Sequence, residues 1–88
     1  MAFKVILPKV DADMKEGIIS EWLKYEGDKI NKGDAILSIE TEKVVWEIEA
    51  EASGVLGKPL SDVKDVVPVG TALVYILEPG DEDPGLGE

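Results

Sequence analysis

The stretch GIISEWLKYEGDKINKGDAILSIE, residues 17–40, decides the fold because it recurs in altered form as GVLGKPLSDVKDVVPVGTALVYIL, residues 54–77. A shift of 37 positions aligns the two copies without a gap. Aligned turn residues at fixed offsets predict two copies of one β-unit, which chance similarity between alternating segments would not produce. Two copies are too few for a solenoid, so we expect them to pack face to face about an approximate two-fold axis. The identical pairs are Gly17 and Gly54, Leu23 and Leu60, Asp28 and Asp65, Gly33 and Gly70, Ala35 and Ala72, and Ile39 and Ile76.

Alternation of apolar and polar residues within residues 1–77 predicts strands, whereas no segment of helical length keeps a helical apolar pattern free of glycine. In 44–50 the alternation places Val44, Trp46, Ile48 and Ala50 on a buried face. Residues 35–39 alternate in the same way. The fold class is therefore all-β, a flattened barrel or sandwich, with Trp22, Trp46 and Tyr75 assigned to its core. The predicted strands are 3–7, 17–23, 35–39, 44–50, 54–60 and 72–77.

The composition excludes several classes of function. The 88 residues suffice for one small domain. Nine lysines and no arginine face nineteen acidic residues, and the net charge of −10 disfavours nucleic acid and anionic membranes as partners. Without histidine or cysteine we expect no catalytic residue and no metal site. The first residues carry no long apolar run, so we expect a cytoplasmic protein.

The last residues differ from the rest in composition. Residues 78–88 hold five of the nineteen acids, two prolines and three glycines, with Leu86 as the single large apolar residue. Such a segment buries too little surface to offset the entropy of ordering it. We therefore predict a domain at 1–78 and a flexible linker or tail at 79–88.

A charged hairpin separates the strands predicted at 35–39 and 44–50. Its residues are Glu40, Thr41, Glu42 and Lys43, and without glycine or asparagine at the tip a two-residue type I′ turn is disfavoured. A longer loop built on a type I turn is expected, with Lys43 at its exposed end. The repeat shift carries Lys43 onto Gly80, so Lys43 and the exit of the chain should lie at opposite ends of the domain. A lysine in a charged turn is, in most proteins, merely solvated.

Four segments together resemble a known family: EGIISEWLKYEGDKI at 16–30, KGDAILSIETEK at 32–43, EIEA at 47–50 and GVL at 54–56. They are similar to the lipoyl domains of the dihydrolipoamide acyltransferase components of 2-oxo acid dehydrogenase complexes. The resemblance implies two four-stranded antiparallel sheets with approximate two-fold symmetry. It also implies that Lys43 carries lipoic acid in amide linkage, and that the domain is a carrier and not itself an enzyme.

The resemblance further implies a set of partners. A thiamine-diphosphate-dependent 2-oxo acid decarboxylase would reductively acylate the arm on Lys43, an acyltransferase core would pass the acyl group to coenzyme A, and a flavin dihydrolipoamide dehydrogenase would reoxidise the arm. A lipoate–protein ligase would attach it, and the isolated domain is expected to be monomeric. Recognition around the attachment site is assigned to Glu40, Thr41, Glu42 and Val44, with the loop at 10–16 nearby.

Three alternatives stay open at this point. Biotinyl carrier domains share the fold, but they typically place methionine on both sides of their lysine, where this chain has Glu42 and Val44. The residue before the lysine is commonly aspartate in lipoyl domains, so Glu42 keeps the charge. The lipoylated glycine-cleavage carrier is longer and has extra helical segments. An unmodified β-sandwich used only to bind protein would leave Lys43 as a free amine.

Overall fold

A computed structural model of the chain describes residues 2–87, and the side chains of 86 and 87 are not described. Met1 and Glu88, which end the predicted ranges 1–78 and 79–88, lie outside the described residues. None of the helical structure in residues 2–87 is long and apolar enough to cross a membrane. The elements are β1 Phe3–Ile6, β2 Glu16–Trp22, β3 Lys29–Ile30, β4 Ala35–Glu40, β5 Val45–Glu49, β6 Gly54–Leu56, β7 Val66–Pro68, β8 Ala72–Leu77 and a 3₁₀ turn at Pro84–Gly87.

The strands form two four-stranded antiparallel sheets, as predicted. One sheet has the order β1-β8-β6-β3 and the other the order β5-β4-β2-β7. The shift of 37 carries β2, β3 and β4 onto β6, β7 and β8, so the two sheets are equivalent, with β1 in one taking the place that β5 has in the other. Each sheet keeps its own edge strands, so the architecture is a sandwich and the barrel is not closed.

Backbone hydrogen bonds repeat with the same shift and lock the two copies together. The Gly27 N–H donates to the carbonyl of Leu56 at 2.8 Å, and its counterpart, the Lys64 N–H, donates to the carbonyl of Ile19 at 2.7 Å. In each case the turn of one copy bonds to a strand of the other. The halves therefore interlock, and neither is expected to fold alone.

The two-fold also places the end of β8 away from the charged hairpin. Strand β2 begins beside that hairpin, where Ile18 pairs with Glu40. Beyond β2 the chain reaches Gly27, which bonds to Leu56, and Leu56 pairs with Ile76 near the end of β8. The hairpin and the end of β8 thus lie at opposite ends of the path that β2 follows.

The core lies between the sheets and is almost purely aliphatic. Ser38 is the single buried polar residue among those described, and no buried side-chain nitrogen or oxygen atom in this part of the chain lacks a hydrogen bond. Burial of branched aliphatic side chains from both copies supplies the main stabilisation of so small a domain. The largest fully buried side chains are Leu7, Ile19, Ile30, Ile36, Leu37, Ile39, Leu56, Leu73, Val74 and Ile76.

Two predictions about strands were wrong in detail. The strand predicted at 54–60 ends at Leu56, and β3 and β7, which have two and three residues, were not predicted because so short a run shows no alternation. Alternation in β4 also fails, since Ile36 is buried as well as Leu37. The register with β5 shifts between Ala35 and Leu37, and this irregularity turns two successive side chains away from solvent.

The prediction that Trp46 and Val44 lie in the core was wrong. Trp46 pairs with inward-facing Ile39, yet its side chain is 48% exposed because β5 is an edge strand, with no further strand paired beyond it in residues 2–87. Val44 lies outside the strand and is also exposed. Trp22 does pack against the core, where its Nε1 donates to the Ser61 carbonyl at 3.0 Å.

Candidate functional site

The charged hairpin projects from the end of the second sheet. Glu40 and Val45 are the last paired residues of β4 and β5, and four residues, 41–44, connect them. Neither Glu42 nor Lys43 has a positive φ, which excludes the type I′ turn as predicted. Both side chains at the tip are exposed, so the hairpin presents Lys43 to solvent from a support held on both sides by strands.

Thr41 holds the hairpin together. Its backbone N–H donates to the Val44 carbonyl at 2.9 Å, and its Oγ1 donates to the same carbonyl at 3.2 Å. The same oxygen accepts the N–H groups of Lys43, at 3.3 Å, and Val44, at 3.2 Å. A threonine hydroxyl therefore satisfies the backbone groups of the turn and fixes the direction in which Lys43 leaves it.

Lys43 is paired with one acidic side chain of the preceding loop. Its Nζ lies 3.4 Å from Oδ2 of Asp13, and the Lys43 side chain is 64% exposed. An ion pair this exposed contributes little stability, about 0–1 kcal/mol. The amine is thus reachable by a modifying enzyme, and the contact with Asp13 is weak enough to be given up when the charge is removed.

The loop at 10–16 lies where the resemblance places it, beside Lys43. Residues of this loop and of the hairpin line one shallow groove, together with Ile18. Asp13 stands out through its contact with Lys43, which the sequence does not reveal because thirty positions separate the two residues. Met14 anchors the loop, since it is buried and its sulfur accepts the N–H of Val10 at 3.3 Å.

The other predicted site residues surround Lys43 in different ways. Glu40 points to the outer face of the sheet, Glu42 lies at the tip, and Val44 is exposed behind it. Thr41 is half-buried and acts on the backbone of the turn. Their role in recognition stays a prediction. Within residues 2–87 no group of three acidic, histidine or cysteine residues is placed to hold a metal ion.

Comparisons with known proteins agree with this geometry. The family described as biotin-requiring enzyme, the biotin/lipoyl attachment family, matches residues 4–76. The dihydrolipoyllysine-residue acetyltransferase component of an acetoin cleaving system from Pseudomonas putida is 43% identical over 72 residues, 82% of this chain and 20% of that protein. The corresponding component of a pyruvate dehydrogenase complex from Rickettsia bellii is 39% identical over 89 residues, 100% of this chain and 21% of that protein.

A solved structure agrees over nearly its whole length. The lipoyl domain of the 2-oxoglutarate dehydrogenase complex from Azotobacter vinelandii has a TM-score of 0.72 and 31% identity, covering 88% of this chain and 98% of that one. The chain spans about a fifth of the length of the curated relatives it matches, so the likeness concerns one domain of theirs. A family match over 4–76, an equivalent fold and a braced hairpin with an exposed lysine lead to one conclusion. The chain belongs to the biotin/lipoyl attachment family and is a lipoyl carrier domain.

Proposed function

We propose that Lys43 carries lipoic acid in amide linkage and that the domain presents this arm to the enzymes of a 2-oxo acid dehydrogenase complex. The observation that carries the proposal is the exposed Lys43 amine at the tip of a hairpin whose backbone is fixed by Thr41. When bound, the lipoyl group supplies a disulfide that can be reduced, carry an acyl group and be reoxidised.

The residues around Lys43 fit this group. Amide formation removes the lysine charge and with it the ion pair to Asp13. The Asp13 carboxylate is exposed, so water solvates it once the pair is broken. Nothing in the described part of the chain encloses the Lys43 side chain, so an arm attached there can extend away from the domain. The hairpin holds Lys43 so that the arm extends away from the domain, and the partner enzymes catalyse the acyl transfer.

Biotin is the competing group, since the same family includes biotin-requiring enzymes. The neighbours of Lys43 favour lipoate, because Glu42 and Val44 replace the two methionines typical of biotinyl domains. The solved lipoyl domain that covers 88% of this chain supports the same choice. We further propose that a lipoate–protein ligase attaches the group, and that a 2-oxo acid decarboxylase, an acyltransferase core and a dihydrolipoamide dehydrogenase use it.

The test is reductive acylation. Lipoylated wild type, Lys43→Arg and free lipoamide, at equal concentrations, are incubated with purified decarboxylase components specific for pyruvate or 2-oxoglutarate, and acyl transfer is followed by intact mass. We expect acylation of the wild type by at least one enzyme, none of Lys43→Arg, and about 100-fold lower kcat/KM for free lipoamide, which lacks a docking surface. Lys58→Arg is the matched control and should behave as wild type. Acylation of Lys43→Arg would overturn the proposal.

A further inference from the structure

An exposed row of side chains crosses the outer face of the second sheet at the end that bears Lys43. Val66 of β7 pairs with Ile18 of β2, Ile18 pairs with Glu40 of β4, and Glu40 pairs with Val45 of β5. Directly opposed side chains in antiparallel sheets have Cβ atoms about 5 Å apart, so the four form one continuous band. Val66 is 55% exposed, Ile18 40% and Val45 63%.

The fold does not require aliphatic residues at all of these positions. The shift of 37 relates Val66 to Lys29 and relates Val63, exposed in the turn beside β7, to Glu26. Charged residues therefore occupy the equivalent places at the other end of the domain, where the same turn and strand form. Ile18 has an exposed aliphatic counterpart, Val55, whereas the valines at 63 and 66 have charged counterparts and are therefore not required by the β-unit.

The charges around the row are mainly negative, with Lys15 and Lys64 as exposed cations nearby. Glu40 lies within it, and Glu16, Glu42 and Asp13 border it, all exposed. Conversion of Lys43 to an amide removes the cation that is paired with Asp13 and makes this end more negative. A complementary partner surface is therefore apolar opposite Val66, Ile18 and Val45, and cationic opposite Glu40 and at its border.

We propose that the outward row of Val66, Ile18 and Val45, extended by Val63, is the surface on which the decarboxylase component docks when it receives the arm of Lys43. This inference rests on the proposed function and adds where on the domain recognition occurs. The row adjoins the hairpin, since Val45 follows it directly in β5. An enzyme that draws the arm into a channel must close around that end of the domain.

Substitutions of single aliphatic side chains by threonine test the row. Val66→Thr and Ile18→Thr, lipoylated to completion, are compared with Val55→Thr, which changes the two-fold counterpart of Ile18 at 39% exposure. With the decarboxylase that acylates the wild type, we expect kcat/KM to fall about 5- to 10-fold for the first two, mainly through KM, and less than 2-fold for the control. The kcat/KM of Val66→Lys should fall further than that of Val66→Glu, because the border of the partner surface is cationic.

The outcomes separate the two proposals. If no decarboxylase acylates the wild type, the proposed function fails and the docking surface fails with it. If the wild type is acylated and all three threonine variants match it, the docking surface alone is overturned. Analytical ultracentrifugation provides a second readout, since a wild type that dimerises while Val66→Thr does not would assign the row to a second copy of this chain and overturn the proposal.

Discussion

The two copies of the repeat end in turns at equivalent positions. The first turn leads into another strand of the same sheet, and the second leads the chain out of the domain. In the first, residues 41–44 form the hairpin that carries Lys43 and leads into β5. In the second, residues 78–81 carry Gly80, with a φ of +88°, in the place of Lys43. The Asp81 N–H donates to the Glu78 carbonyl at 3.0 Å, and the Glu78 N–H donates to the Asp81 carboxylate at 2.9 Å.

The difference between these turns lies in the strand beside each. β5 continues directly from the first turn and pairs with β4, whereas the equivalent place beside β8 is taken by β1, which comes from the start of the sequence. The second turn is therefore free to lead the chain away. One β-unit, used twice, thus presents the Lys43 hairpin at one end and leads the chain out at the other.

The largest expected effect comes from moving the lysine between the two turns. Lys43→Arg combined with Gly80→Lys should abolish lipoylation, because arginine does not form the amide and the lysine moved to the second turn lacks the strand-paired hairpin on which the proposed attachment depends. Arginine keeps the charge opposite Asp13, so Lys43→Arg alone should change the free energy of unfolding by less than about 1 kcal/mol. Gly80→Lys places a side chain at a φ of +88° and should lower the free energy of unfolding by about 1–2 kcal/mol. Intact mass and urea unfolding measure the two effects. A lipoyl group on the second turn would show that the hairpin is not needed.

Substitution of the repeated turn glycines should cost stability equally in both copies. Gly33 and Gly70 have φ values of +97° and +92°, with no atom within 4 Å of an added Cβ, so the penalty is purely conformational. Gly33→Val and Gly70→Val should each lower the free energy of unfolding by roughly 2–3 kcal/mol. Denaturant unfolding checks this. Values that differ by more than about 1 kcal/mol would contradict the equivalence of the copies.

A smaller change in the free energy of unfolding is expected where one copy has a lysine in a left-handed backbone conformation and the other has a glycine. Lys64 has a φ of +76° in the place of Gly27, whose φ is +90°. Lys64→Gly should raise the free energy of unfolding by up to about 1 kcal/mol, because glycine relieves the left-handed strain but adds freedom to the unfolded chain. Gly27→Lys should lower it by about 1–2 kcal/mol. Urea unfolding of both variants measures these changes, and destabilisation by Lys64→Gly would show that the lysine side chain contributes to the fold.

The smallest effect concerns the segment after the second turn. The Asp83 carboxylate accepts the N–H of Lys58 at 2.8 Å and that of Gly85 at 2.9 Å, and Gly85 is buried. Two such bonds contribute about 1–3 kcal/mol, less than the cost of ordering several residues. Asp83→Ala should therefore change the free energy of unfolding by less than about 1 kcal/mol, and backbone order parameters should fall below about 0.6 after residue 80. Rigid values through Gly85 would show instead that the segment docks on the domain.

The sequence predicted the parts of the molecule that depend on repetition and local pattern. The aligned glycines indicated the two equivalent sheets, and the charged hairpin indicated the position of Lys43. Trp46 was assigned wrongly because alternation shows which face a side chain occupies and not whether the sheet is covered there. The contact of Asp13 with Lys43 and the row through Ile18 and Val66 depend on strand register, which single strands do not reveal.

The most direct test of the central claim is peptide mapping of the domain after exposure to both lipoate and biotin ligases with both cofactors supplied. We expect a lipoyl group on Lys43 and unmodified side chains at the other eight lysines. A lipoyl group on another lysine, biotin on Lys43, or a free amine at Lys43 would contradict the assignment of this hairpin as the attachment end of the domain.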